Sequence, residues 1–121
     1  MKKRSNDRSQ CPIRLTESLI GGRWKTIILW LLSKRSMRFN ELRRELSGIT
    51  QKVLTEQLRE LEEDRLIHRK VYEIVPAKVE YSLSGQGERL IPIVVMMCSW
   101  GEEYLSQELA REKLPQENSQ G

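Results

Sequence analysis

Side chains that can hydrogen-bond to the edges of bases recur at helical spacing in one short segment of the sequence. They are Gln51, Lys52, Thr55 and Arg59. Residues three or four apart are neighbours on a helix surface, so this spacing gathers them on one face. An amide can pair with adenine, a cationic side chain with guanine or a phosphate, and a threonine can contact the thymine methyl group. The segment therefore predicts a helix that reads bases in the DNA major groove; the alternative is an ordinary solvated helix face.

The residues around this segment predict how the helix is held. Its opposite face carries an apolar stripe of Leu54, Leu58 and Leu61. Thr50 is a suitable N-cap for the helix, which we expect to run to about Asp64. Ser47-Gly48 ends a preceding helix, for which Asn40 is the expected N-cap. Two helices joined by so short a turn, with a glycine at the bend, predict a helix-turn-helix.

A hairpin is predicted directly after the helix-turn-helix. Residues 67–75 are rich in β-branched and aromatic side chains, and residues 79–83 alternate between apolar and polar types, which indicates two strands. Pro76-Ala77-Lys78 joins the two strands, so the hairpin lies where a wing would and carries Lys78 at its tip. We expect Asn40 and Arg43 to contact phosphates and Lys78 to contact phosphates or the minor groove; for Arg43 an ordinary surface charge is the alternative. Such contacts supply affinity and register rather than sequence discrimination.

Helices are also predicted at both ends of the folded region. Cys11-Pro12 opens the first helix, and Gly21-Gly22 ends it. The second helix covers about residues 23–32, and its expected buried face consists of Trp24, Ile27, Ile28, Leu31 and Leu32. The last helix follows Ser84 and runs to about Glu108. The fold class is therefore α+β, mainly α: a winged helix-turn-helix with helices added at each end.

Apolar side chains surround the last helix on more than one face. One face can pack against its own domain, and a second copy of the chain is the expected cover for the others. The alternative is a helix buried at the centre of a monomer. The dimer contacts that we expect are Ile13, Leu90, Ile93, Val94, Met97 and Trp100.

Length and charge agree with a small DNA-binding protein. A chain of 121 residues holds one compact domain, expected at residues 11–108 between a flexible basic arm at 1–10 and a polar tail at 109–121. Residues 1–59 carry 14 Lys/Arg against 5 Asp/Glu, and residues 60–121 carry 7 against 12. One part of the molecule is thus suited to a polyanion. The absence of a signal-peptide pattern or a membrane-spanning apolar run predicts a cytoplasmic protein.

Catalytic and metal-binding chemistry find little support in the sequence. Cys11 and Cys98 lie far apart, form no C-x-x-C pair and are accompanied by a single histidine, His68. Neither a His/Cys/Asp cluster nor a glycine-rich phosphate loop is present. We therefore expect no enzyme, no metal and no cofactor. A winged helix used only for contacts with another protein remains an alternative to DNA binding.

Motifs along nearly the whole folded chain resemble those of the HxlR-type winged-helix regulators, which are relatives of the MarR group. In chain order they are Cys11-Pro12, Ile20-Gly21-Gly22-Arg23-Trp24-Lys25, Arg38-Phe39-Asn40-Glu41-Leu42-Arg43, Gly48-Ile49-Thr50-Gln51-Lys52-Val53-Leu54-Thr55, Leu58-Arg59-Glu60-Leu61-Glu62, Val79-Glu80-Tyr81-Ser82-Leu83, Gly87, Pro92 and Trp100-Gly101. The resemblance implies dimers, joined by their first and last helices, that bind inverted repeats in promoters. Most such proteins repress and some activate, so the expected role is repression.

The resemblance also raises a question of local strain and one of sensing. Arg65 stands where the family usually has glycine. If the position is left-handed, arginine costs about 1 kcal/mol there.

In a redox-sensing branch of the family a cysteine matching Cys11 reacts with quinones, aldehydes or oxidants. A thiol at a helix N-terminus suits this role because the helix dipole stabilises the thiolate. The alternatives are a space-filling Cys11 and an effector that acts without thiol chemistry. Cys98 is expected to pack in the apolar run.

Overall fold

The computed structural model describes residues 11–113 of the chain, which form five helices and a three-stranded sheet. The elements are α1 (Pro12–Ile20), α2 (Lys25–Leu32), β1 (Met37–Arg38), α3 (Phe39–Glu45), α4 (Gln51–Glu63), β2 (Ile67–Tyr72), β3 (Lys78–Leu83) and α5 (Gly85–Lys113). The mainly helical α+β class predicted from the sequence is confirmed. The predicted basic arm at 1–10 lies outside the described residues, and so does the tail from residue 114 onward.

The chain divides into two compact units, one ending at Ile91 and the other beginning at Pro92. In the first unit, leucines and isoleucines from the helices and from β2 form the core. The largest fully buried side chains are Ile28, Leu29, Leu42, Leu54, Leu61 and Ile67. Burial of such a side chain contributes about 1.5–3 kcal/mol, so this cluster is the main support of the α3–α4 pair. The second unit consists of α5 from Pro92 onward.

The sheet is antiparallel, with β3 in the middle and β1 and β2 at its edges. Ile67 pairs with Leu83 on one side, and Met37 pairs with Tyr81 on the other. The predicted hairpin is confirmed, whereas β1 was not predicted from the sequence. A strand of two residues carries no readable periodicity and exists only because a distant strand offers hydrogen-bond partners.

The buried face of α2 differs from the predicted one. Lys25 and Leu29 are buried, whereas Ile27 is 46% exposed. The buried set consists of Lys25, Ile28, Leu29 and Leu32, which is itself a regular helical stripe. Nearly every residue of α2 is apolar, so the predicted face and the buried one fit the helical spacing equally well. The stripe that is buried includes a lysine, a residue that is almost never fully buried unless its charge is paired.

The first turn of α5 is joined by hydrogen bonds to the turn that follows α4. Ser84 caps α5 as predicted, since its Oγ accepts a hydrogen bond from the Gly87 N–H at 3.0 Å. The same Oγ donates to the Arg65 carbonyl at 2.6 Å, and the Ser84 N–H donates to the Leu66 carbonyl at 3.0 Å. Arg65 is left-handed, with φ 63°, so the predicted strain is present.

The last helix is longer than the sequence indicated. We expected it to end near Glu108, but α5 continues to Lys113, so residues 109–113 are helical and do not belong to a polar tail. Arg111 and Lys113 lie in its last turn, where cations interact favourably with the helix dipole. No helix among residues 11–113 is long and apolar enough to cross a membrane.

Candidate nucleic-acid interface

A tight turn joins α3 to α4. Gly48 has φ 89°, a conformation that L side chains rarely adopt. Ile49 then returns to the core, where it is buried, and its N–H donates to the Leu46 carbonyl at 3.1 Å. Thr50 caps α4, because its Oγ1 accepts a hydrogen bond from the Val53 N–H at 3.1 Å. The predicted turn and N-cap are both confirmed, and they fix the point at which α4 begins.

The residues predicted to contact bases lie together on the exposed side of α4. They line one open depression, which we call the reading face: Gln51, Lys52, Thr55, Glu56 and Arg59. All five are exposed, while the leucine stripe beneath them is buried. The Thr55 hydroxyl donates to the Gln51 carbonyl at 2.8 Å, so its methyl group and oxygen lone pairs stay available. The reading face thus presents two cationic side chains, one amide, one threonine methyl group and one carboxylate, and the buried leucines of α4 hold it to the core.

The start of α3 differs from the prediction. Arg38, and not Asn40, is the N-cap, and the helix begins at Phe39. The Arg38 N–H donates to Glu41 Oε1 at 2.8 Å. This backbone hydrogen bond, helped by the charge of Arg35, holds the pKa of the Glu41 carboxyl below its usual value of 4.5. Asn40 lies within the first turn, exposed, and Arg43 is exposed near the other end of the helix.

The N-cap of α3 was predicted at Asn40 because strand β1 was not predicted. Arg38 is extended because it pairs with Glu80 in the sheet, and extended backbone is what an N-cap position requires. The choice of Asn40 used side-chain preference alone. Asn40 still lies close to the hairpin, since Asn40, Arg44 and Lys78 line the same depression.

The hairpin carries its lysines behind its tip. Lys78 was expected at the tip but is the first residue of β3, paired with Tyr72. Its Nζ lies 3.6 Å from Glu80 Oε2 and 4.7 Å from the centre of the Tyr72 ring. Lys70 lies 4.8 Å from the same ring, and the Tyr72 hydroxyl donates to Glu80 Oε1 at 3.0 Å. The tip itself is residues 73–77, where Val75 is 99% exposed.

Sequence reasoning missed Tyr72 and Glu80 as parts of this basic cluster. Their strand register would have revealed them, since Lys70 pairs with Glu80 and Tyr72 pairs with Lys78. Cation–π contacts of this kind are worth about 0.5–1 kcal/mol at exposed sites. They hold both ammonium groups on one side of the hairpin.

The two cysteines occupy different surroundings. Cys11 is half-buried and directly precedes α1, with extended backbone at φ −149° and ψ 124°. Its side chain makes no capping hydrogen bond within the described residues. Cys98 is exposed on α5 in the single chain, so its packing within the apolar run stays a prediction. Within residues 11–113 both thiols are free, and no group of His, Cys, Asp and Glu side chains could hold a metal ion.

Large apolar side chains are exposed along α5 and at the start of α1. Four of the expected dimer contacts are exposed: Ile13 in the first unit, and Ile93, Met97 and Trp100 in the second. The Trp100 and Tyr104 rings stack at 5.2 Å between centroids. Tyr104, Met96 and Leu105 are equally exposed and were not predicted as contacts.

Two of the expected dimer contacts differ from the rest. Val94 is 4% exposed in the single chain, and Leu90 packs against the core of the first unit. Val94 is thus buried and Leu90 half-buried in the single chain, and both stay predicted dimer contacts. Counting every apolar residue of the helix made no distinction between the faces, because the apolar run from residue 90 to 98 has no polar residue to mark an inner side.

Comparison with known proteins agrees with this arrangement. The family model described as HxlR-like helix-turn-helix matches residues 19–109. The HTH-type transcriptional regulator YdeP of Bacillus subtilis (strain 168) is 51% identical over 100 residues, 83% of this chain and 78% of that protein.

Solved structures of the redox regulator HypR have the same fold. The reduced form has a TM-score of 0.78 and 47% identity, covering 83% of this chain and 99% of that one. The oxidised form has a TM-score of 0.75 and 52% identity, covering 77% and 96%. The winged-helix prediction is therefore confirmed. The chain belongs to the HxlR-like helix-turn-helix family and is a transcriptional regulator of the helix-turn-helix type.

Proposed function

We propose that the protein binds a specific promoter sequence by inserting α4 into the major groove. The observation that supports this is the reading face, which is polar and exposed on the side of α4 opposite the buried Leu54, Leu58 and Leu61. A helix with its side chains fits the width of the major groove, where each base pair presents a distinct set of donors and acceptors. Gln51 pairs with adenine, Lys52 and Arg59 with guanine or phosphate, and Thr55 contacts a thymine methyl group.

Phosphate contacts complete the proposed interface. Thr50 and Arg43 flank the turn between α3 and α4, and both are exposed. Asn40 and Lys78 line one depression, so neighbouring phosphates of one DNA strand can contact both side chains. Arg69 of β2 lines a second depression together with Thr55 and Arg59, which extends the basic surface toward the hairpin. These contacts supply affinity that weakens steeply with salt, because binding releases condensed counterions.

The experiment uses a duplex selected in vitro by the wild-type protein from a random library. Lys52→Ala and Arg59→Ala should each weaken binding to that duplex by about 1–3 kcal/mol, measured by fluorescence anisotropy. Arg111→Ala is the matched control, since it removes the same charge from the end of α5 and should leave binding nearly unchanged. Wild-type-like binding by both α4 variants would refute the assignment. Failure to select any duplex would favour the rival role as a protein-contact module.

We propose further that the protein acts as a homodimer on an inverted repeat. Isolated apolar residues on a surface are ordinary, but Trp100 (66% exposed), Met97 and Ile93 belong to one helix with several more. A second copy offers the same apolar surface and a two-fold symmetry that an inverted repeat shares. Sedimentation equilibrium should give a dimer for the wild type and monomer for Trp100→Glu. A monomeric wild type that binds one half-site would refute the proposal.

The proposed regulatory role is repression relieved by oxidants or electrophiles at Cys11. Its support is the position of Cys11 directly before α1 and the likeness to HypR, a redox regulator known in reduced and oxidised forms. A transcription assay on the selected promoter should show repression by the reduced protein. Diamide should relieve repression by the wild type and by Cys98→Ser, but not by Cys11→Ser. An equal response of the Cys11→Ser protein would instead favour an effector without thiol chemistry.

A further inference from the structure

A lysine is buried beneath the helix that carries the reading face. Lys25, the first residue of α2, is 5% exposed. Its Nζ lies 2.5 Å from Oε1 of Glu60 on α4, whose side chain is 27% exposed. Lysine is almost never fully buried unless its charge is paired. The pair therefore connects the scaffold to α4 through a single directional contact.

The backbone that presents Lys25 is itself fixed. The Thr26 hydroxyl donates to the Ile20 carbonyl at 2.9 Å across the turn between α1 and α2. The Ile28 N–H donates to the Trp24 carbonyl at 2.9 Å, which closes the first turn of α2. Neighbours of Lys25 on the same stripe, Ile28 and Leu29, are fully buried. The ammonium group therefore has a defined position, and it is Glu60 that must come to it.

Glu60 occupies the boundary between the two faces of α4. Arg59 before it belongs to the exposed reading face, and Leu61 after it is fully buried. The three leucines beneath α4 hold the helix to the core, but apolar contacts are not directional and permit small rotations. A salt bridge at the edge of the helix does not permit them, because its two atoms separate as soon as the helix turns.

We propose that the Lys25–Glu60 pair sets the rotation of α4 about its own axis, and with it the sequence discrimination of the reading face. This inference rests on the proposed role of α4 in reading DNA. With side-chain atoms about 6 Å from the helix axis, a rotation of about 20° displaces them by about 2 Å. That displacement breaks the salt bridge. It also exceeds the tolerance of about 0.5 Å within which a positioned functional group works.

Stability is the weaker explanation for the pair. Removing two charges from water costs free energy that their attraction only partly offsets, and well-packed apolar replacements of buried pairs are often neutral or stabilising. The double variant Lys25→Met/Glu60→Leu keeps the net charge and supplies such a replacement. It should therefore fold and unfold like the wild type, while its α4 has lost the contact that defines its rotation.

The test compares two affinities for each protein. One probe is the duplex that the wild type selects from a random library, and the other is a scrambled duplex of the same composition. We expect the ratio of the two affinities to fall by about tenfold or more in Lys25→Met/Glu60→Leu, comparable to the loss of one good base contact. The melting temperature and the affinity for the scrambled duplex should stay near the wild-type values. The control is Glu108→Gln/Arg111→Gln, which neutralises the exposed pair on α5 and should leave the ratio unchanged.

The outcomes separate this inference from the proposed function. If the wild type selects no duplex, the reading role of α4 is lost. If the wild type selects one and the double variant keeps the same affinity ratio, the pair does not position α4 and the inference is overturned. A double variant that fails to fold also overturns it, because the pair would then be required for the fold and not for register.

Discussion

Replacing Gly87 with alanine should damage the junction between α4 and α5. A Cβ at this position would lie 2.1 Å from the Leu66 carbonyl oxygen and 3.2 Å from Cδ2 of Leu83. Because the first obstacle is backbone, no side-chain rotation relieves it. Leu66 must retreat by roughly 1 Å to restore an ordinary contact, and its carbonyl then loses the hydrogen bond from the Ser84 N–H. Overpacking costs about 1–3 kcal/mol, and a lost hydrogen bond adds about 1 kcal/mol.

Gly85→Ala is the matched control, because the same methyl group placed two residues earlier meets nothing within 4 Å. Alanine is the better helix former, so this variant should gain about 0.5 kcal/mol. The two variants should differ by about 3 kcal/mol in free energy of unfolding, measured by urea denaturation at one protein concentration. Equal stabilities would refute the close approach of α5 to the turn after α4. A Gly87→Ala protein that is stable but no longer binds the selected duplex would refute the cost in free energy of unfolding given above. The close approach of α5 to the turn after α4 would still stand.

Three further substitutions test local features of the fold. Arg65→Gly should raise the free energy of unfolding by about 1 kcal/mol by relieving the left-handed strain, whereas Arg65→Ala, which keeps a Cβ, should give no such gain in urea denaturation. Thr50→Ala should cost about 1 kcal/mol through loss of the α4 cap, and Thr50→Ser should restore most of it in the same assay. Glu41 has a lowered pKa, so its stabilising effect is present above pH 4.5 and is lost as the pH falls through the pKa of the folded protein. The stability advantage of the wild type over Glu41→Gln should therefore shrink in acid, and an advantage that does not change between pH 7 and pH 3 would contradict this account.

The order of elements and the reading face could be predicted from the sequence because their signals are local. The α4 leucines repeat at helical spacing, Thr50 is a strong cap, and Gly48 marks the bend. Each of these depends on residues within one or two helical turns of one another. The strain at Arg65 was anticipated from the family resemblance alone, because glycine usually stands at this position in the family and nothing local in this sequence marks it.

What the sequence did not reveal depends on partners that are distant along the chain. The strand β1 exists because β3 offers it hydrogen bonds, and it moved the cap of α3 from Asn40 to Arg38. Lys25 was not among the predicted buried residues of α2, because its partner Glu60 lies 35 positions later and no periodicity connects the two. Lys78 was misplaced at the hairpin tip by the same limitation, since strand register decides which residues form the tip.

The hairpin tip is a longer connection than the one between β3 and α5. Five residues, 73–77, connect β2 to β3, whereas a single residue, Ser84, separates β3 from α5. Exposed tips with few backbone partners accept insertions, and hydrogen-bonded junctions do not. Adding four glycine and serine residues after Val75 should leave the melting temperature unchanged, while the same insertion after Ser84 should lower it markedly. The hairpin can therefore change in length without disturbing the hydrogen bonds of Ser84 that join the first turn of α5 to the turn after α4.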